Sequence, residues 1–598
     1  MSRGLRIPFK GLTATLGFER HWYLVLLAAG IGTVTAVVAW AFMWLIHFAA
    51  DLFKHAPQQS LWWMIPLLPM AGALIAGVII HFVAREAKGH GVPEVLDAIN
   101  RRKGRIKLRV SIGKWTSAIF TIGSGGSAGA EGPIVQIGSG IGSSLGRLIG
   151  TNPQGTTTLL GCGAAAGIAS VFNAPIAGIF FVLEILLRDF SLRTFTPIVI
   201  ASVFSAVTTH WLAEANEPIF QLGTDFGEFL PGEIPNYVVL GIICGLVAIA
   251  FTKSLYWTED LYERIKLHPI IKPVTGAALL GGLGLCYFSY FKPEQALPPF
   301  FSNGYPVIEQ LLSAEFYQSF NQNDAALQAV TVLLAICLFK GVATCLTLGS
   351  GGSGGIFAPS LMLGAAAGGA VGTVLSAWGW IPQASAAHYA LVGMAAVVAA
   401  TTHAPLTAIL IVYEMSRSYQ VILPLMLAAV ISTVVARLIM TDSIYTLKLR
   451  RRGVRLGAMS DLTILRRLTV SDVPLVAPVF VHPEESAQRL LELSERTSVN
   501  DFVVTDRNDR YLGLVTDADL KEALVYREAI PLLQVSELQR NDLPTVTADE
   551  TLDVVLDKFS RYDVHSLAVL DEAGDRAVLG LITRSRLLQR YQAALSTV

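Results

Sequence analysis

Seventy-three consecutive residues, Gly341 to Tyr413, contain no Asp, Glu, Lys or Arg. A bilayer span needs about 20 predominantly apolar residues, so this stretch alone is long enough for several membrane passes, and no water-soluble core accommodates it. Other stretches are nearly as bare. Trp22 to Ala50 and His55 to Ala84 carry no formal charge, and between Lys114 and Glu184 the only charges are Glu131 and Arg147. Charged residues make up 15% of the chain, against about 25% in average soluble proteins.

The charges that remain are placed unevenly. Arg3, Arg6, Lys10 and Arg20 precede the first apolar run, eight Lys or Arg fall between Arg85 and Arg109, and five between Lys448 and Arg455. Cytoplasmic loops collect such residues, so both ends of the apolar region are expected on the cytoplasmic side. The first run is too long for the apolar part of a signal peptide. The net charge is zero, which gives nothing to attract a nucleic acid. The five cysteines sit in apolar stretches without paired or metal-ligand spacing, and are expected to be small core residues.

From about residue 459 charges become frequent. Asp501–Thr505 and Tyr511–Val515 have the pattern of buried strands, and Glu484–Glu495 that of a helix. This is a soluble α/β tail of about one domain in size. It contains one pattern twice, Gly513-Leu-Val-Thr-Asp-Ala-Asp519 and Gly580-Leu-Ile-Thr-Arg-Ser-Arg586.

The apolar region is duplicated as well. Gly123-Ser-Gly-Gly-Ser-Ala-Gly-Ala-Glu-Gly-Pro133 recurs as Gly349-Ser-Gly-Gly-Ser-Gly-Gly-Ile-Phe-Ala-Pro359, with seven of eleven positions identical at an offset of 226. Lys114 and Thr121 return as Lys340 and Thr347 at that offset. The segment from Asn173 to Glu184 returns as His403 to Glu414 at an offset of 230. The region is therefore a two-fold internal repeat. Repeats in transporters are often inverted across the membrane, with the substrate site at their interface.

Glycine- and proline-interrupted backbone is tolerated at membrane depth only where it is buried or lines a cavity. Each repeated segment ends in a Pro, favoured in the first turn of a helix, and Gly89-His-Gly-Val-Pro-Glu94 marks a third such start. Helix starts leave N–H groups unpaired and concentrate partial positive charge, so they bind an anion without a buried cation. For one glycine-rich segment, close helix packing is the better explanation. It does not explain Glu131 inside such a segment, because an intramembrane carboxylate is costly and marks function by default. A carboxylate there can occupy the position of a permeant anion and leave when protonated.

Gly89-His-Gly-Val-Pro-Glu94, Gly129-Ala-Glu-Gly-Pro133 and Gly355-Ile-Phe-Ala-Pro359 resemble, in order and spacing, the three anion-site motifs of the CLC family of chloride channels and chloride/proton exchangers. The resemblance covers essentially the whole membrane region. It implies a homodimer with one anion pathway per subunit, Glu131 as the gating and proton-carrying glutamate, and anion binding by His90, Gly91, Ile356 and Phe357, the last two through backbone amides. Tyr445 falls on the tyrosine whose hydroxyl contacts the central anion; an interfacial belt aromatic is the plainer role for it, and the motif match favours the ligand. Three positions depart from the pattern: His90 stands for a serine common in chloride-selective members, Ala130 for an arginine, and Ile185 for the internal proton glutamate of many exchangers. His90 leaves open anions other than chloride, such as fluoride or nitrate.

The tail resembles a tandem pair of CBS domains, which implies an adenine nucleotide (ATP, ADP or AMP) held through Thr516 and Asp519, and in part Thr583, where Arg586 replaces the acid. A ligand-free pair that mediates dimerisation fits the same residues. No other cofactor is required.

The expected organisation is a cytoplasmic N-terminal segment 1–21, a polytopic α-helical membrane domain 22–448 with repeat halves at about 22–215 and 235–448, a linker 449–470, and two CBS domains at 471–530 and 531–598. The expected protein is an integral membrane protein, not an enzyme, of a bacterial inner membrane, with both termini cytoplasmic. It exchanges chloride for protons, with a passive chloride channel as the alternative raised by Ile185. A CBS-regulated cation transporter is the remaining rival, and the charge-free stretches disfavour it because a hard divalent cation needs oxygen ligands, usually including acidic ones.

Overall fold

The computed structural model describes residues 22–55, 63–213, 219–220, 231–291, 298–318, 325–381, 386–454, 465, 468–496, 501–524, 530–571 and 577–596. The expected N-terminal segment 1–21 and residues 455–464 of the expected linker lie outside them. The chain divides into two compact units, one ending at Leu456 and the other beginning at Gly457.

All regular elements described in the first unit are helices. Its first half comprises α1 (Trp22–His55), α2 (Met64–Phe82), α3 (Val92–Arg101), α4 (Leu108–Gly123), α5 (Glu131–Ile149), α6 (Pro153–Phe172), α7 (Pro175–Phe181) and α8 (Leu192–Ala213). The second half comprises α9 (Ile234–Arg264), α10 (Ile271–Phe291), α11 (Tyr305–Leu311), α12 (Ala314–Gln318), α13 (Ala325–Gly349), α14 (Phe357–Ala377), α15 (Ala386–Thr402), α16 (Pro405–Ser416), α17 (Ile422–Ile439) and α18 (Ile444–Arg451). Among the described residues, 9 helices are long and apolar enough to cross a bilayer.

Outer helices such as α1 and α2 are only partly covered and turn Leu26, Trp44, Leu67 and Leu74 outward. Exposed apolar faces of that extent suit lipid. The same reasoning corrects one expectation: Cys286, on α10, is exposed rather than in the core, because a lipid-facing helix is as apolar in sequence as a buried one. The central helices α6, α14 and α15 bury nearly all their side chains. They approach their partners through glycine. A Cβ on Gly163 would strike the Gly138 carbonyl, and a Cβ on Gly393 the Gly364 carbonyl, so α5 packs on α6 as α14 packs on α15.

The two halves are related by an approximate two-fold axis, visible in reciprocal bonds. Gly129 and Gly355 form an antiparallel bridge, N–H to C=O at 2.8 and 2.6 Å. The Ser127 N–H donates to Thr347 Oγ1 at 3.1 Å, and the Ser353 N–H to Thr121 Oγ1 at 3.4 Å. Glu414 accepts from the N–H groups of Ile176 and Ala177 at 3.0 and 2.7 Å, while Glu184 accepts from Leu406 and Thr407 at 3.3 and 2.8 Å. Each acid supplies the orphaned amides at the start of a helix in the other half, the positions where helices lack intrahelical partners. The two acids, which are equivalent in the repeat, thus play equivalent capping roles. One difference breaks the symmetry: α7 runs on as a π-helical stretch, Val182–Leu187, which contains Ile185, while α16 is regular.

The second unit holds two copies of one α/β motif. Strands β1 (Phe480–Val481), β2 (Phe502–Thr505) and β3 (Tyr511–Val515) make one sheet, and β4 (Val546–Thr547), β5 (Ser566–Leu570) and β6 (Val578–Thr583) the other, each with a parallel and then an antiparallel pair. The register shifts at the same place in both, between Val504 and Thr505 and between Val569 and Leu570. The helices are α19 (Ala487–Arg496), α20 (Asp517–Ala523), α21 (Val535–Leu538), α22 (Leu552–Tyr562) and α23 (Arg584–Ser596). The first begins three residues later than the sequence pattern puts it, because His482 and Glu485 close a turn ahead of it. The copies interlock: Val476, ahead of the first sheet, pairs with Leu581 of β6, and Arg540, ahead of the second, pairs with Leu514 of β3.

Candidate functional site

Three helix starts converge where the halves meet. Gly91 opens α3 with φ +83°, a left-handed conformation that glycine adopts without strain, and a Cβ there would lie 2.5 Å from the Gly132 carbonyl. A Cβ on Gly132 would strike the His90 carbonyl, and one on Gly355 would lie 2.7 Å from the Gly132 N–H. The starts of α3, α5 and α14 therefore touch backbone to backbone, with no room for a Cβ at Gly91, Gly132 or Gly355.

Beside this junction is a small cavity of about 10 Å3, walled by Val92, Glu131, Gly132, Val135, Ile168, Phe172, Phe181, Phe357, Ile411 and Tyr445. That is about the space one water molecule needs. The sequence-predicted residues Glu131, Phe357 and Tyr445 thus meet at one point. Their surroundings are apolar, and the Phe357 ring packs on Phe172 with centroids 5.4 Å apart. Ile356 is the N-cap residue of α14; it, Gly91 and His90 adjoin the cavity in the chain without walling it. His90 is buried, its ring 6.0 Å from that of Tyr445, and neither ring nitrogen has a hydrogen-bond partner among the described residues.

Glu131 is the first residue of α5 and 3% exposed. Its Oε1 accepts a hydrogen bond from the Tyr305 hydroxyl at 2.9 Å. Its Oε2 has no partner of normal geometry among the described residues and faces Gly355 at the start of α14. A carboxylate so placed stands in the field of a helix N-terminus, where negative charge is favoured.

Two buried lysines back the junction. Lys114 Nζ donates to the carbonyls of Ala87, at 3.0 Å, and Gly89, and Lys340 Nζ to those of Ser302 and Phe300 at 2.8 and 3.3 Å. Each ammonium fixes the loop that leads into a Gly-x-Pro helix start, Gly91-Val-Pro93 in one half and Gly304-Tyr-Pro306 in the other. Gly304 has φ +84°, matching Gly91. Tyr305 and the work of the lysines were missed from sequence, although the Gly-x-Pro match and the recurrence of the lysines were there to be read.

Tyr445, second residue of α18, is held from α9: Tyr256 Oη donates to the Ile444 carbonyl, Lys448 pairs with Glu259 at 2.9 Å, and the Arg451 guanidinium lies 4.8 Å from the Tyr256 ring centroid. In the second unit Thr516 and Asp519 form a capping box at the start of α20. Asp519 Oδ2 accepts from the Thr516 N–H at 2.9 Å and from its hydroxyl at 2.6 Å. Thr583 Oγ1 accepts from the Arg586 N–H at 3.3 Å, and the Arg586 guanidinium donates to the carbonyls of Pro474 and Leu475.

A family model described as voltage gated chloride channel matches residues 72–437, and the CBS domain model matches 470–526 and 535–593. The chain belongs to the voltage-gated chloride channel family, whose members move anions across membranes and are not enzymes, and it carries a CBS pair behind the membrane unit. It is 32% identical over 414 residues to a putative chloride channel protein ClcB-like from Ralstonia nicotianae, a match that spans 67% of this chain and 89% of that protein. Over 448 residues it is 32% identical to the H(+)/Cl(-) exchange transporter ClcA of Salmonella paratyphi B, across 72% of this chain and 88% of the relative. Against two relatives from Arabidopsis thaliana the chain spans 53% of their length. The crystal structure of a slow cyanobacterial Cl-/H+ antiporter is similar at a TM-score of 0.62 and 26% identity, covering 73% of this chain and 99% of the other.

Proposed function

We propose that this protein exchanges chloride for protons across a bacterial inner membrane, with Glu131 as the group that both closes the anion path and carries the proton. One observation carries this reading: the Glu131 carboxylate occupies the wall of a small cavity at the junction of helix starts, where an anion is otherwise favoured. A protonated carboxyl loses its attraction to those amides and is free to swing out, so anion passage and proton movement share one group. The relatives named as exchangers support the coupling. In this reading the protein works as a homodimer with one pathway per subunit and with both termini cytoplasmic.

The channel reading rests on Ile185, buried and apolar where many exchangers have an internal proton glutamate. Purified protein in chloride-loaded liposomes separates the two. A chloride gradient is expected to drive uphill proton movement, and Glu131→Gln to abolish it while chloride still passes. Chloride efflux without any proton movement in the wild type defines a channel instead. His90, whose two ring nitrogens have no hydrogen-bond partner among the described residues, leaves anion preference to be measured by replacing chloride with fluoride or nitrate in the same assay. For the tail, the mutual bonding of Thr516 and Asp519 favours a structural role for these two residues; an adenine nucleotide has to displace that bond.

A further inference from the structure

From the bond between Tyr305 and Glu131, we infer that Tyr305 is the latch of the gate: its phenol holds the Glu131 carboxylate in the closed position and so sets how often the anion path opens. The inference deepens the proposed function and rests on Glu131 being the gate.

The hydroxyl lies 2.9 Å from Glu131 Oε1, and this is the side-chain hydrogen bond that Glu131 makes among the described residues. Glu131 is buried and Tyr305 half-buried, with the Tyr305 ring edge-on to Phe220 at 5.9 Å, so the bond is largely screened from water. A hydrogen bond to a buried carboxylate is among the stronger neutral-donor contacts in a protein. The donor is also held rigidly. The Tyr305 N–H donates to Asn303 Oδ1 at 3.3 Å, and Lys340 fixes the Ser302 carbonyl just before it. Position 305 follows a left-handed glycine and precedes a proline, as position 92 does in the other half, where the residue is Val92. The phenol therefore exists in one half only, and it faces the acid that also exists in one half only. A packing role would be served by Phe; a hydroxyl aimed at the one carboxylate of the cavity points to control of that carboxylate. Tyr305 acts through Glu131 and is a positioning residue, not an anion ligand.

The test is chloride efflux from proteoliposomes at pH 7.5 and pH 4.5, with simultaneous proton recording, for wild type, Tyr305→Phe, Glu131→Ala and the double variant. Tyr305→Phe is expected to raise efflux at pH 7.5 by about tenfold and to shrink the ratio of acid to neutral efflux. In the Glu131→Ala background the same substitution is expected to change efflux by less than about twofold, because nothing is left to latch. Unchanged efflux in Tyr305→Phe overturns the latch, and so does an equal rise in both backgrounds, which marks a change in the path wall. Glu131→Ala behaving as wild type overturns the gate reading itself. A fluorotyrosine at 305, a stronger donor in the same shape, is expected to lower efflux at pH 7.5 below wild type; a rise or no change overturns the latch without relying on how the Phe variant folds.

Discussion

The Glu184 carboxylate accepts two hydrogen bonds from Thr407, one from its N–H at 2.8 Å and one from its hydroxyl at 2.7 Å. The contact crosses the repeat boundary, and its mirror, Glu414 on Ala177, crosses back. Two intramembrane acids that invite a functional reading thus serve as splints between the halves, each neutralising helix-start amides that the fold itself leaves bare.

Glu184→Ala is expected to destabilise the membrane unit by about 1–3 kcal/mol, the usual cost of stranding donors that faced a charged acceptor. Glu414→Ala should cost a similar amount. Thermal unfolding in detergent reads the loss, and unchanged melting in both variants would mean that the splints are dispensable.

Glu131→Gln should flatten the pH dependence of chloride efflux. If Glu131 is the gate, acid neutralises the carboxylate and releases it from the helix start, so wild-type efflux is expected to rise as pH falls and to decline as the carboxylate recharges. An amide cannot titrate. Efflux from liposomes between pH 4.5 and 7.5 is the measurement, and a variant that keeps the wild-type profile would place the titrating gate elsewhere.

Gly355→Ala forces a methyl group against the Gly132 N–H, 2.7 Å from the built Cβ position. Neither backbone can move without disturbing the Gly129–Gly355 bridge. Overpacking of this kind costs about 1–3 kcal/mol, so the variant is expected to give less folded protein by size-exclusion chromatography. Gly30→Ala, at an exposed helical position where nothing lies within 4 Å of the built Cβ, is the control.

In the tail, Asp519→Ala removes the acceptor of both Thr516 bonds and is expected to cost about 0.5–2 kcal/mol, as lost caps do. Calorimetry with AMP on the full-length protein distinguishes cap from ligand. Binding to the wild type that weakens in Asp519→Ala assigns a nucleotide to the pair, and no heat with the wild type leaves the cap alone.

Much of this was legible in the sequence because it is written twice. The recurrence of Gly123–Pro133 in Gly349–Pro359 located the seam, and the charge-free stretches gave the membrane. Glu131, Phe357 and Tyr445, separated by up to 314 positions, do come together. Tyr305 was not found, because its value lies in one hydrogen bond to a residue 174 positions away, and α11 is too short for its periodicity to be noticed. Lys114 and Lys340 were seen to recur, but a lysine in an apolar run does not announce that it will hold two carbonyls. Cys286 was misjudged for a different reason: hydropathy does not distinguish lipid from protein interior.

The bridge between Gly129 and Gly355 joins equivalent positions of a duplicated chain, each glycine giving and receiving the same bond. Such a contact is self-complementary. Two separate half-length chains would meet at it in the same way, so the seam works before the halves are fused as well as after. Fusion then frees the copies to diverge wherever the bridge does not bind them alike, and the neighbouring positions 131 and 357, Glu in one copy and Phe in the other, are where that freedom was used.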